Sequence, residues 1–372
     1  MPRLIIDTKA LAQNGGHLQK WAKAIGLEVL PVLKVISGFR PAVEALADQG
    51  FTRFGLARPS EDPAGLIARE SKTLIQLTPI SKARETISNF GRSFQSSPEV
   101  LDALNQLALA SKLPHEIILM VNLGDSREGI ELRDAPEILD YIKKLTHLSF
   151  SGFGAILTCL SDNLPDKSLF EDLRQLIDLA ASRGLSSPVI SLGGTVMCDF
   201  VAKEGRGPIT ELRLGDPLLI GVDVYRHAVL PDGPWRQDVL RIEAEVVEKT
   251  LRKNPLNNSL ELRALLDVGR FHLGPVHLNF SGYPPLDGVE CLLPGAVIAG
   301  ATAGYLVVDL TSCLKTPQIG DMISLRPGYW AIAHSIRHPD IEVRVSTAKD
   351  FEANDFISST DLPSHEIRPV LP

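Results

Sequence analysis

The chain has 372 residues, of which 44% are apolar and 22% charged, with a formal net charge of -7. That length exceeds a simple single domain and suits a barrel of roughly 200 to 250 residues with one further domain. The mild acidic charge excludes the basic footprint of a nucleic-acid binder and the polybasic anchor of a membrane-surface protein, so a small molecule is the expected ligand.

The first fourteen residues break into charge at Arg3, Asp7 and Lys9 before a signal-peptide core could form. No apolar run approaches the roughly 20 residues that span a bilayer. A cytoplasmic chain is expected, without membrane association. From Glu28 to Gly221, short β-rich runs alternate with amphipathic helical stretches, punctuated by Gly, Pro, Ser or Asp. Eight strands are predicted, at residues 29–35, 53–56, 74–77, 92–94, 117–121, 148–157, 189–192 and 211–214. Eight βα units close a TIM-type (β/α)8 barrel. Helix starts punctuate the pattern, with Pro41 at a first-turn position and Ser97 as a serine cap before Pro98 and Glu99. The stripe Val100, Leu101, Leu104, Leu107 and Ala108 has helical spacing and is expected to pack on the barrel wall.

After Gly221 the pattern changes. Residues 240–247, 262–268, 304–310 and 322–325 read as strands without long helices between them, which predicts a C-terminal all-β domain. The overall class is α/β, with a barrel over residues 1–228 and a β-domain over 236–372. The stretch 230–235 is the expected linker, and 253–258 the expected loop inside the β-domain. Cys159, Cys198, Cys291 and Cys313 are widely spaced, with no CxxC pair, and read as reduced thiols.

The run 29–38 sets one lysine, Lys34, in an otherwise apolar strand. Burying an ammonium is costly, so this group must be ion-paired, lower its pKa, or be consumed in a covalent bond such as a Schiff base. At the carboxyl end of a barrel strand it would face the region where barrel enzymes do their chemistry. Other motifs carry less. His272, His277 and Cys291 match no zinc spacing, Gly152 and Gly154 lack the third glycine of a dinucleotide loop, and no Gly-x-Ser-x-Gly elbow is present. No metal is expected.

Four segments in order carry a family likeness. Residues 7–14 read Asp-Thr-Lys-Ala-Leu-Ala-Gln-Asn and 33–38 read Leu-Lys-Val-Ile-Ser-Gly, with 45–55 following. Residues 115–130 contain Val-Asn-Leu-Gly-Asp-Ser-Arg-Glu-Gly, and 211–221 read Glu-Leu-Arg-Leu-Gly-Asp-Pro-Leu-Leu-Ile-Gly. Together with 327–334, they resemble the alanine racemase type of pyridoxal phosphate (PLP) barrel, fold type III, on its ornithine racemase side. The resemblance implies that Lys34 is the Schiff-base lysine and one of the two proton-transfer groups. It implies that Arg127 points toward the phenolic oxygen of the cofactor, and that Arg213 faces the pyridine nitrogen. A group that keeps its proton there leaves the ring uncharged, a weaker electron sink that suits racemisation. As structural alternatives, Arg127 could pair with Glu128, and Arg213 with Glu211 or Asp216.

The phosphate is expected at Gly194 and Thr195 after the seventh strand and at Gly215 and Asp216 after the eighth, where glycines let backbone N–H groups approach an anion. The chain departs from the family in three places. Gly193-Gly-Thr-Val-Met-Cys198 lacks the serines of the phosphate loop, leaving Thr195 as the substitute, and Gly38 stands where alanine racemases carry a tyrosine. The loop expected to supply the opposite-face tyrosine is short and has none, so Tyr283, His272, Tyr329 and Cys291 are left as unranked replacements. The implied enzyme is a homodimeric, PLP-dependent amino-acid racemase for a basic substrate such as ornithine or lysine. The alternatives are elimination, decarboxylation or aldol cleavage on the same cofactor, or PLP binding without turnover.

Overall fold

The structure, a computed structural model, describes residues 1–346 except 63–64, 162, 224–227, 230–232, 255–257, 279–283 and 285. The chain begins with β1 (Arg3–Ile6) and α1 (Thr8–Ala24), whose N-terminus is capped by the Asp7 carboxylate, a 2.9 Å acceptor for the N–H groups of Lys9 and Ala10. Then follow β2 (Glu28–Pro31), α2 (Arg40–Ala47), β3 (Phe54–Leu56), β4 (Lys72–Leu74), α3 (Ala83–Asn89) and β5 (Arg92–Gln95). Next come α4 (Pro98–Ser111), β6 (His115–Met120), α5 (Ala135–Ile142), β7 (Leu148–Ile156) and α6 (Ser168–Ser182). The barrel region ends with β8 (Val189–Gly193), α7 (Val196–Glu204), β9 (Glu211–Leu214) and α8 (Asp216–Leu219).

Strands β2 to β9 form one parallel sheet in the order β2-β9-β8-β7-β6-β5-β4-β3. The ends meet at a parallel bridge between Val32 and Gly55, where the Leu33 N–H donates to the Gly55 carbonyl at 3.0 Å. All eight expected strands have a counterpart, although β4 runs Lys72–Leu74 and meets the expected 74–77 at Leu74 alone. The first is shorter than expected: β2 stops at Pro31, and Lys34 opens a separate 3-10 turn, Lys34–Ile36. Val32 still donates to the Leu214 carbonyl at 2.8 Å and Leu33 to that of Gly55, and the chain then turns away toward the mouth of the barrel. The stripe on α4 is buried at Val100, Leu101, Leu104 and Ala108, with Leu107 partly buried against the same core. Ser97 does precede α4, but its hydroxyl donates to the Glu99 carboxylate instead of capping a backbone N–H.

After a two-stranded ribbon, β10 (Val222–Asp223) and β11 (Ala228–Val229), the chain builds a second sheet. It contains β12 (Leu240–Lys253), β13 (Leu260–Leu266), β14 (Val289–Cys291), β15 (Val297–Ala301), β16 (Leu306–Asp309) and β17 (Met322–Pro327), ordered β14-β17-β12-β13-β16-β15. Two short helices, α9 (Arg270–Leu273) and α10 (Tyr329–Ser335), and a last strand, β18 (Glu342–Val345), accompany it. The N-terminal strand belongs to this sheet. β1 pairs antiparallel with β12 and parallel with β18, so residues 3–6 lie outside the barrel, which corrects the N-terminal edge of the 1–228 unit. Leu4 and Ile6 are fully buried there, and β1 covers an edge of β12 that would otherwise stay open. Parts of the expected linker at 230–235 and of the loop at 253–258 lie outside the described residues. Asn14 on α1 ties the start of the chain to the linker region, donating to the Leu218 and Arg236 carbonyls and accepting from the Arg236 N–H at 2.8 Å. Among the described residues, no helix is long and apolar enough to cross a membrane.

The barrel lumen is layered because residues two apart on a strand point the same way. Arg92 on β5 meets Glu211 on β9 at 2.6 Å, both side chains almost wholly buried. These strands are not neighbours in the sheet, so the ion pair crosses the lumen. Thr73 accepts from Arg92 at 3.0 Å, and Ser191 donates to Glu211 at 2.6 Å, completing this lower layer. Two residues further along the same strands come Phe94, Gly193 and Arg213, at the level of the mouth.

A buried charge left without its partner is strongly destabilising. Glu211→Leu is expected to lower the unfolding free energy by about 3 to 5 kcal/mol, measured by urea denaturation. Adding Arg92→Met should recover most of that loss; a double variant no more stable than the single one would show that the pair does not govern the layer.

Candidate active site

A cavity of about 960 Å³ opens at the carboxyl ends of the barrel strands. Lys34, Arg127, Gly194, Thr195, Arg213, Gly215 and Asp216 all line it, so the seven residues expected at the cofactor are brought to one place. Tyr329, Trp330, Ala333, His334, Arg337 and His338 reach the same cavity from the β-domain.

Lys34 sits in the turn after β2 and is partly buried. It enters no ion pair among the described residues, so it is not the salt-bridged structural lysine that its apolar surroundings could have implied. That part is played by Lys72, buried on β4 and paired with Asp62 at 2.9 Å.

Arg213 is 8% exposed and, among the described residues, has no carboxylate partner, since Glu211 is taken by Arg92. Its Nη1 donates to the Ser191 carbonyl at 2.7 Å and the Ser191 hydroxyl at 3.0 Å, and Nη2 donates to the Ala155 carbonyl at 2.6 Å. The guanidinium lies over the Phe94 ring at 4.4 Å. Burial pushes its pKa down to about 10, which still leaves it cationic at neutral pH. Gly193 makes room for it, because a Cβ there would come within 2.8 Å of Nη2. Arg127 does pair with Glu128, at 2.5 Å, and both side chains line the cavity.

The two expected anion-binding turns face each other. Among the described residues, the N–H groups of Gly194, Thr195, Gly215 and Asp216 find no acceptor. Gly194 has φ of +109°, and a Cβ there would lie 2.7 Å from the Leu157 carbonyl. Only glycine therefore fits. The Thr195 hydroxyl is already committed, donating to Asp216 Oδ2 at 3.1 Å, so it does not simply replace the missing serine. Burial pushes the Asp216 carboxyl up to about 6, against the lowering effects of that hydrogen bond and of Lys34.

Of the four candidates for an opposite-face group, Tyr329 alone lines the cavity among the described residues. Burial pushes its phenol pKa up. Cys291 lies on β14 with its thiol pushed up to about 11 by burial. Tyr283 falls outside the described residues. His272 stacks at 4.6 Å on His338, and with Asp340 these rings form a compact group outside the barrel. Both Nδ1 atoms accept backbone N–H groups, from Gly269 at 3.0 Å and Asp340 at 3.2 Å, so in the neutral rings Nε2 carries the proton.

Glu61, Cys159, His334 and Arg337 also line the cavity and were not expected. Glu61, Cys159 and Arg337 come from short turns and loops that no hydrophobic period or motif marks, while His334 sits on α10 at the end of the 327–334 run. Counting Lys34, Arg58, Arg127, Arg213 and Arg337 against Glu61, Glu128 and Asp216, the lining carries an excess of two positive charges in a chain of net -7. A cavity of this kind favours an anionic ligand.

The comparisons agree with this architecture. The family model described as alanine racemase, N-terminal domain, matches residues 6–217. An ornithine racemase from Acetoanaerobium sticklandii is 24% identical over 364 residues, covering 92% of this chain and 98% of the relative. A lysine racemase from Thermotoga maritima is 26% identical over 367 residues, covering 92% and 97%. The crystal structure of an alanine racemase from Bartonella henselae with covalently bound pyridoxal phosphate superposes with a TM-score of 0.69 at 17% identity, covering 92% of this chain and 99% of that one. The matched segment takes in β2 to β9 and every lining residue singled out from the barrel sequence, and the chain belongs to the alanine racemase N-terminal domain family.

Proposed function

We propose that the protein is a PLP-dependent racemase acting on a basic amino acid such as ornithine or lysine. The observation that carries this reading is the convergence on one cationic cavity of a carbonyl-clamped arginine with a lysine and two turns whose charge and N–H groups find no partner among the described residues. The named activities of the two curated relatives, each aligned over almost its whole length, support the basic substrate.

The residues fit the cofactor. Free N–H groups at Gly194, Thr195, Gly215 and Asp216 suit its phosphate, as turns at the ends of the last barrel strands often do. Bound there, pyridoxal phosphate would supply an electron sink that acidifies the α-proton of an amino acid. Lys34 would hold the cofactor through Nζ and carry a proton to and from one face of the α-carbon. Arg213 is held cationic by two carbonyls and an aromatic face, and would keep the ring nitrogen from gaining a proton. Arg127, oriented by Glu128, would donate toward the phenolic oxygen. Tyr329 is the lining candidate for the opposite face.

We read the enzyme as a cytoplasmic homodimer. Trp330 at the cavity and Leu160, next in the chain to the lining Cys159, are 46% and 70% exposed, an apolar rim suited to a second subunit.

A visible spectrum of the purified protein with PLP should show a violet band that borohydride removes, and Lys34→Ala should lose both the band and about 10² to 10⁴-fold or more of the turnover. Solvent deuterium should enter the α-carbon of both enantiomers of ornithine or lysine. Activity confined to small neutral amino acids would remove the basic substrate, and an unchanged band in the variant would move the attachment elsewhere.

Asp216 sets a pH dependence. Its pKa is raised, so it is neutral below about 6 and charged above, where it would repel a phosphate held by its own N–H. PLP affinity should therefore fall as pH rises through about 6. In Asp216→Asn, equilibrium titrations of PLP between pH 5 and about 8 should show a flatter profile; the same slope in variant and wild type would assign the effect to another group.

A further inference from the structure

We propose that Arg337, carried on the β-domain, is a positioning residue that holds the peptide of Lys34 so that its ammonium meets the cofactor in a fixed place. The inference rests on the reading of Lys34 as the cofactor lysine. It starts from a mechanical problem. Lys34 lies past the end of β2, so the sheet ladder does not fix its backbone, and the turn that holds it is only three residues long.

That turn is anchored from outside. The Lys34 carbonyl accepts a long bond from the Ser37 N–H at 3.3 Å and a short, charge-assisted one from Arg337 Nη2 at 2.6 Å. The next two residues, Ser37 and Gly38, have φ of 49° and 59°. Gly38 packs directly on the backbone of Glu61, and a Cβ there would lie 1.8 Å from the Glu61 carbonyl oxygen. The Glu61 carboxylate, 5% exposed, accepts from the Ala57 N–H at 2.7 Å and stands 3.7 Å from the same Nη2 of Arg337. One guanidinium thus joins both walls of the turn. Its Nη1 donates to the Ala333 carbonyl at 2.8 Å, which aims it from α10, the helix that also brings Tyr329 and His334 to the cavity.

The consequence is that docking of the β-domain and placement of the reactive amine are one event. A catalytic group held off its productive position by a fraction of an ångström loses much of its effect. Arg337 acts through Lys34 and is not itself assigned a part in proton transfer.

The test uses the full-length protein with two readouts. In cofactor-free protein, hydrogen–deuterium exchange of peptides spanning residues 33–38 should be at least about ten-fold faster in Arg337→Met than in wild type, the scale of one lost charge-assisted bond. With PLP added, the apparent affinity read from the violet band should weaken about ten-fold. Arg337→Lys should fall between, because a lysine keeps the charge but cannot span Ala333, Glu61 and Lys34 together. Wild-type exchange and wild-type affinity in Arg337→Met overturn the proposal. Should that variant not fold, Arg337→Lys decides: wild-type values in both readouts again overturn it. If wild-type protein takes up no PLP, the cofactor reading fails, while the exchange comparison still decides whether Arg337 orders the turn.

Discussion

An arginine in a barrel lumen is tolerable only if its charge is solvated by something other than water, and the rest of the site depends on how this is done at Arg213. The lower layer uses a conventional solution, in which Arg92 and Glu211 neutralise each other across the lumen at 2.6 Å. The upper layer does not. With Glu211 already engaged, the Arg213 guanidinium is held by the carbonyls of Ser191 and Ala155, the Ser191 hydroxyl and the face of Phe94. Dipoles and a ring quadrupole hold the cation without cancelling it. It therefore presents a full positive charge to the cavity above, which a carboxylate partner would have quenched.

Several local features follow from that arrangement. Gly193 is required beside the guanidinium, and Gly194 continues into a turn whose N–H groups remain free. The barrel end of the cavity is thereby electropositive and rich in backbone donors, suited to the anionic parts of a cofactor. Asp216 works against this trend. Burial keeps its carboxyl near neutrality, and Thr195 donates to it, so the negative charge it could add to the anion site is muted at mildly acidic pH.

The second domain has more than a covering role. Through α10 and the turn after it, it brings Tyr329, His334 and Arg337 to the mouth of the barrel, and β1 at the far end of the chain is stitched into its sheet. The second sheet thus takes strands from both sides of the barrel sequence, β1 before it and β12 to β18 after it, and the cavity lies between contributions from both domains.

Much of this was legible in the sequence. The alternation of β-rich and helical runs, punctuated by turn residues, marked the eight barrel strands because that rhythm is a local property of each segment, and it held even where Arg92, Glu211 and Arg213 interrupt an apolar run. Lys34 stood out because an ammonium in such a run needs a special reason, and Arg127, Arg213 and the two glycine turns followed from ordered motifs. What the sequence could not determine depends on partners far apart in the chain. That β1 joins the second sheet, that Glu211 turns to Arg92 and not to Arg213, and that Arg337 reaches back 303 residues to the Lys34 carbonyl are outcomes of packing. Each is a choice among several chemically acceptable neighbours, and only the tertiary structure brings one of them within bonding distance.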